Sequence, residues 1–89
     1  MPDVRVTCIS RVPRDDPHEG ITHLGSQIWR WTRQEVIDTI NDRSNTFYIL
    51  AHGRRADVRV VDGPHGQYIR TYADGVWNDD LLDLPECVG

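Results

Sequence analysis

Polar and apolar positions alternate with a period of two over residues 4–12. Val4, Val6, Cys8 and Ser10 fall on one side, and Arg5, Thr7, Ile9 and Arg11 on the other. Such alternation predicts a half-buried strand. Pro13 ends the run, and residues 14–20, which include Pro17, read as a polar loop. Residues 21–25 (Ile-Thr-His-Leu-Gly) read as a short strand closed by a glycine turn.

The period changes after Trp31. Thr32 and Glu35 stand at capping-box spacing, where each side chain satisfies the other residue's free backbone N–H. Trp31 and Val36 flank the cap at hydrophobic-staple spacing, which fixes the angle at which the chain enters the helix. Val36, Ile37 and Ile40 then form an apolar stripe, and the polar residues of 41–45 end the helix. A helix of about three turns is marginal alone in water, so its stripe must dock on another element.

Residues 46–51, 57–62 and 67–72 are β-rich and separated by short connections, His52-Gly53-Arg54-Arg55-Ala56 and Gly63-Pro64-His65-Gly66. Connections this short imply antiparallel neighbours. Asp74-Gly75 marks another turn, and Asn78-Asp79-Asp80 a cap for a helical turn carrying Leu81, Leu82 and Leu84, stopped by Pro85. The fold class expected is α+β: a single domain over residues 1–89, with one main helix on an antiparallel sheet of about four strands. The order is β-α-β-β-β, followed by a short C-terminal helical turn or tail.

A register follows from these turns. Pairing Asp62 with Gln67 sets Val60 opposite Ile69 and Arg59 opposite Arg70, and pairing Ala51 with Asp57 brings Tyr48 beside Val60. One face then carries Tyr48, Leu50, Val58, Val60 and Ile69 and is assigned to the helix. The other carries Phe47, Ile49, Arg59, Val61, Tyr68, Arg70 and Tyr72. Like charges directly opposite one another repel, and so many apolar groups are not left in water without reason. Three arrangements would satisfy this second face. The segment 29–31 or the leucine tail covers it, with its arginines paired to Asp79 or Asp80. A protein partner or a second copy covers it. Or a nucleic acid does, with tyrosines stacking and arginines neutralising phosphate.

Composition narrows these choices. The chain has 89 residues, 38% hydrophobic and 27% charged, which suits one soluble globular domain. All ten basic residues are arginine, yet the net charge is −4, so bulk attraction to nucleic acid is not expected. No apolar run approaches the length of a membrane span, and the first residues lack the pattern of a signal peptide. A cytoplasmic protein is expected, in which Cys8 and Cys87 are reduced by default. Should the tail return to the first strand, the two cysteines could meet, and a disulfide would close nearly the whole chain.

Candidate chemistry is sparse. Cys8, Cys87, His18, His23, His52 and His65 are the metal-ligand types considered, and none shows paired-ligand spacing; no metal and no cofactor is expected. No serine sits in a nucleophile elbow, and neither cysteine has a histidine in a motif context. The adjacent pairs Asp15-Asp16 and Asp79-Asp80 read as loop solvation or helix capping. No catalytic residue is assigned, and an enzyme is not expected.

One resemblance covers nearly the whole chain. It is carried by Ile21-Thr22-His23-Leu24-Gly25, Trp29, Thr32, Glu35-Val36-Ile37, Ile40 and Phe47-Tyr48 in the first half. In the second half it is carried by Tyr68-Ile69-Arg70-Thr71, Asp74-Gly75, Asn78 to Leu82 and Leu84-Pro85-Glu86-Cys87. With these the chain resembles the domain-of-unknown-function 3892 family, small bacterial and phage-associated proteins. The resemblance implies no activity. It implies that Trp29, Arg70, Thr71, Asp74, Gly75, Leu82, Pro85 and Cys87 belong to a shared framework.

The expected function is a non-enzymatic interaction module that binds a protein partner or itself through Arg59, Tyr68, Arg70 and Tyr72. The alternative is a nucleic-acid-binding module using Arg59, Tyr68 and Arg70, with Arg54 and Arg55 as further cations. A small metal-binding protein or enzyme is the remote alternative.

Overall fold

A computed structural model describes residues 2–12, 20–64 and 66–87. Pro13, Pro17, the Asp15-Asp16 pair, His18 and His65 lie outside the described residues. The chain forms β1 (Asp3–Arg5), β2 (Cys8–Arg11), β3 (Ile21–Gly25), β4 (Arg30–Thr32) and α1 (Arg33–Asn41). It continues with β5 (Thr46–Ala51), β6 (Arg54–Gly63), β7 (Gly66–Ala73), β8 (Val76–Asn78) and a 3-10 turn (Asp80–Asp83). The class is α+β, as expected. The sheet differs: there are two, a mixed five-stranded one in the order β1-β5-β6-β7-β8 and an antiparallel three-stranded one in the order β2-β3-β4.

The predicted first strand is two strands. β1 runs parallel to β5, Val6 donates its N–H to the Tyr48 carbonyl (2.8 Å), and Thr7 then donates to the Gly25 carbonyl (2.9 Å). The chain therefore crosses from one sheet to the other at residues 6–7. Cys8 and Ile9 are both buried, which breaks the period-two reading. The alternation holds in the sequence but not in the burial, because the two halves of the run serve different partners.

The helix matches its sequence signals. Thr32 Oγ1 accepts the Glu35 N–H (3.1 Å) and Glu35 Oε1 accepts the Thr32 N–H (3.2 Å), closing the capping box. Val36 and Ile37 are fully buried, and Ile40 packs beside them.

The β6–β7 register is the predicted one, with Arg59 opposite Arg70 and Val60 opposite Ile69. The β5–β6 register is not. Ala51 pairs with Arg54 rather than Asp57, because His52-Gly53 is itself the turn. Both residues have positive φ (55° and 75°), the backbone of a two-residue hairpin whose twist matches that of its strands. A shift by three residues is odd, and an odd shift turns every side chain of β5 over. Phe47 and Ile49 thus face inward with Ala56, Val58, Ile69 and Ala73, while Tyr48 and Leu50 face outward. This corrects both face assignments of β5. Asp74-Gly75 repeats the turn (φ 54° and 80°) and adds β8, which the sequence did not suggest.

Among the described residues, the elements that pack on the large sheet pack on its inner face. Trp29 and Trp31 lie 5.9 and 6.1 Å from the Phe47 ring, centroid to centroid. Leu81 is fully buried, with Leu82 and Leu84 against the same core. Neither the tryptophan segment nor the leucine turn covers the outer face, so that part of the first arrangement fails, while its pairing of an arginine with Asp79 holds for Arg70.

Cys8 and Cys87 form a disulfide. The expectation of free thiols is corrected: residues 85–87 lie beside β2, where Ile9 and Glu86 form a parallel bridge. No helix among the described residues is long and apolar enough to cross a membrane.

Candidate functional site

The outer face of the large sheet is built by strand pairing alone. One row of cross-strand neighbours reads Arg5, Tyr48, Asp57, Tyr72 and Trp77, from β1 to β8. The adjacent positions carry Arg55, Arg59, Arg70 and Asp3. Arg59, Tyr68, Arg70 and Tyr72, singled out from the sequence, all lie on this face.

Their environments differ. The Arg59 guanidinium lies over the Tyr72 ring, 4.3 Å from its centroid, and Tyr72 meets Trp77 edge-on at 5.1 Å. Arg55 lies likewise over Tyr48 at 4.3 Å, but it also reaches Asp3 (2.8 Å) and Asp57 (3.1 Å). The hydrogen bond from Arg55, joined by one from the Thr46 hydroxyl, holds the Asp3 carboxyl below its ordinary value despite an opposing desolvation cost. Among the described residues no carboxylate lies within ion-pair distance of Arg5 or Arg59. Trp77 is 41% exposed and Leu50 47%, so apolar surface and cations without a carboxylate partner among the described residues share the face.

Arg70 is anchored. Its Nη2 donates to Asp79 (3.1 Å) and its Nε to the Asn78 carbonyl (3.4 Å), so it clamps the chain leaving β8. Like-charge repulsion across from Arg59 is relieved in this way: Asp79 takes one guanidinium and the Tyr72 ring the other. Tyr68, opposite Val61, lies over Gly63, where a Cβ would come within 2.7 Å of its ring.

A second group comes together that residue spacing did not reveal. His52, in the β5–β6 turn, has Nε2 at 2.9 Å from Asp83 Oδ2 and 3.7 Å from Asp80 Oδ1. Ligand atoms of His52, Asp80 and Asp83 all lie within 4.8 Å of one another. Asp80 is the buried member, its side chain 10% exposed, and Arg54 already holds its other oxygen at 3.2 Å. A divalent cation here would share Asp80 with a fixed guanidinium, which lowers the attraction. The contacts seen tie the β5–β6 turn to the 3-10 turn. The only local signal was the three-residue spacing of Asp80 and Asp83, which aligns side chains on a 3-10 turn. His52 and Arg54 come from 26 or more residues away, and no periodicity reaches that far.

The residues implied as a family framework find structural roles. The Thr71 hydroxyl, fully buried, donates to the Asn78 side chain and accepts the Leu81 N–H (3.3 Å). Asn78 Oδ1 also accepts the Asp80 N–H (3.0 Å), so Asn78 caps the 3-10 turn, and its own Nδ2 is buried without an acceptor. Asp74 and Gly75 supply the positive-φ turn, the Pro85 carbonyl accepts the Ile9 N–H (3.0 Å), and Cys87 closes the disulfide. Trp29 joins the inner aromatic cluster.

Comparison with known proteins adds one relation. No curated protein and no solved structure matches the chain. One family model does, over residues 5–85, and this spans β2 to β8, the helix, the His52-Gly53 and Asp74-Gly75 turns and the capped 3-10 turn, but leaves out most of β1 and Cys87. The chain belongs to the family described as "Protein of unknown function (DUF3892)".

Proposed function

We propose that this protein is a non-enzymatic binding module that receives a protein partner, or a second copy of itself, on the outer face of its large sheet. The observation that carries the reading is the one-sidedness of the packing. The helix, the tryptophans and the leucine turn all lie on the inner face, which leaves Arg59, Tyr72, Trp77 and Leu50 without cover among the described residues. Tyrosine, tryptophan and arginine are the side chains that most often dominate protein interfaces.

Two features favour protein over nucleic acid. Asp3, Asp57 and Asp79 stand among the arginines of this face and repel phosphate. The Tyr48 and Tyr72 rings each carry a guanidinium on one side, which reduces the surface open to a base.

The test compares the protein with an Arg59→Ala/Tyr72→Ala variant that keeps its circular dichroism. Sedimentation equilibrium reads self-association, and affinity capture from native lysate reads foreign partners. A complex formed by the parent chain and lost in the variant supports the reading. A complex formed equally by both refutes it for this face. Binding to a single-stranded oligonucleotide that falls steeply with salt would instead assign the face to nucleic acid.

A further inference from the structure

The Cys8–Cys87 disulfide sits where the fold is otherwise lightly held. β2 is an edge strand: β3 pairs with one side of it, and residues 85–87 cover the other. Among the described residues that cover consists of two backbone hydrogen bonds, Ile9 N–H to the Pro85 carbonyl (3.0 Å) and Cys87 N–H to the Ile9 carbonyl (2.9 Å), with Pro85 and Glu86 exposed. Ile9 is buried, but its partners on this side are exposed or half-buried and form one bridge rather than a ladder, so the covalent bond dominates the attachment.

The 3-10 turn just before is anchored independently. Leu81 is buried and bonded to Thr71, Asp80 is bound by Arg54, and Asp83 by His52. The chain thus has a firm point at the turn, a proline soon after it, and a single covalent clasp at residue 87. Cys8 is 8% exposed while Cys87 is half-buried, so Cys87 is the more accessible residue of the pair.

We propose that the Cys8–Cys87 bond is a thiol-controlled latch: its reduction releases residues 85–87 from β2 and bares the Ile9 N–H and carbonyl on that edge, while the 3-10 turn stays docked. The reductant is a dithiol. One of its thiolates attacks Cys87 Sγ, breaking the Cys8–Cys87 bond, forming a mixed disulfide and expelling the Cys8 thiolate. Its second thiolate then attacks the reductant's own sulfur in that mixed disulfide and expels the Cys87 thiolate. Two electrons pass to the protein, the two cysteines take up the two protons of the reductant, and the reductant leaves as a disulfide. In a cytosol kept reducing the open form prevails, and in an oxidising compartment the closed one. The latch is independent of what binds the outer face.

Amide hydrogen exchange of the full chain, with and without dithiothreitol, tests this. Exchange at Ile9 and Cys87 should accelerate about tenfold or more on reduction and slow again on reoxidation, while Leu81 and the β6–β7 amides keep their protection. A Cys8→Ser/Cys87→Ser variant should show the reduced pattern without reagent. Unchanged protection at Ile9 and Cys87, in the reduced protein or the variant, would overturn the latch by showing that the hydrogen bonds suffice. Loss of protection throughout would overturn it too, and make the bond a support of the whole fold.

Discussion

Replacing Ile49 and its neighbour Leu50 by alanine, one at a time, separates the two faces of β5. Ile49 is 0% exposed and sits in the core opposite Ala56; Leu50 is 47% exposed on the outer face opposite Arg55. Removing the Ile49 side chain beyond Cβ loses about three buried carbons at roughly 0.8 kcal/mol each, or about 2.4 kcal/mol in transfer alone. The cavity left behind raises this toward 3–4 kcal/mol. The Leu50 change leaves no cavity, and its cost should stay within about 0.5–1 kcal/mol. The assay is urea unfolding of the oxidised protein, followed by tryptophan fluorescence. At a slope of roughly 1–2 kcal/mol per molar urea, the two midpoints should differ by about 1–3.5 M, with Ile49→Ala the lower. Equal midpoints, or a greater loss from Leu50→Ala, would refute the two-residue turn. They would restore the register in which Tyr48 and Leu50 face the helix.

Three further outcomes follow from the local geometry. Thr32→Ala opens the capping box and should cost about 1 kcal/mol in the same unfolding assay, with helical ellipticity reduced little at room temperature. Gly53→Ala meets no atom within 4 Å, yet it must adopt a φ near 75°; a loss of about 1 kcal/mol from backbone strain alone is expected. Asp3 is held below its ordinary pKa of 3.8 chiefly by its hydrogen bond from Arg55, so its contribution to stability is full above that value and fades as pH falls through the depressed one. Carboxyl titration by NMR should show Asp3 moving up toward 3.8 in an Arg55→Ala variant; an unmoved titration would mean that the ion pair is not populated in solution.

The elements legible in the sequence are those whose causes lie within a few residues. The capping box at Thr32 and Glu35, the β6–β7 register, the Asp74-Gly75 turn and the leucine-bearing turn before Pro85 each depend on short-range backbone geometry. The four candidate residues were placed together on one face for the same reason, since a single hairpin and a period of two relate Arg59, Tyr68, Arg70 and Tyr72. The family was legible as a resemblance carried by residue runs such as Tyr68-Ile69-Arg70-Thr71 and Leu84-Pro85-Glu86-Cys87, and the family model matches over residues 5–85. Tertiary structure decided the rest. Residues 4–12 alternate whether they serve one strand or two, and only the carbonyls of Tyr48 and Gly25 draw residues 6 and 7 to different sheets. His52-Gly53 allowed a turn of two residues or a longer loop, and strand twist together with burial of Phe47 and Ile49 selected the shorter. Cys8 meets Cys87, and His52 meets Asp80 and Asp83, across separations that no local pattern spans. Local chemistry sets which elements form; the need to bury one contiguous apolar surface and pair every strand sets which of their faces turn outward.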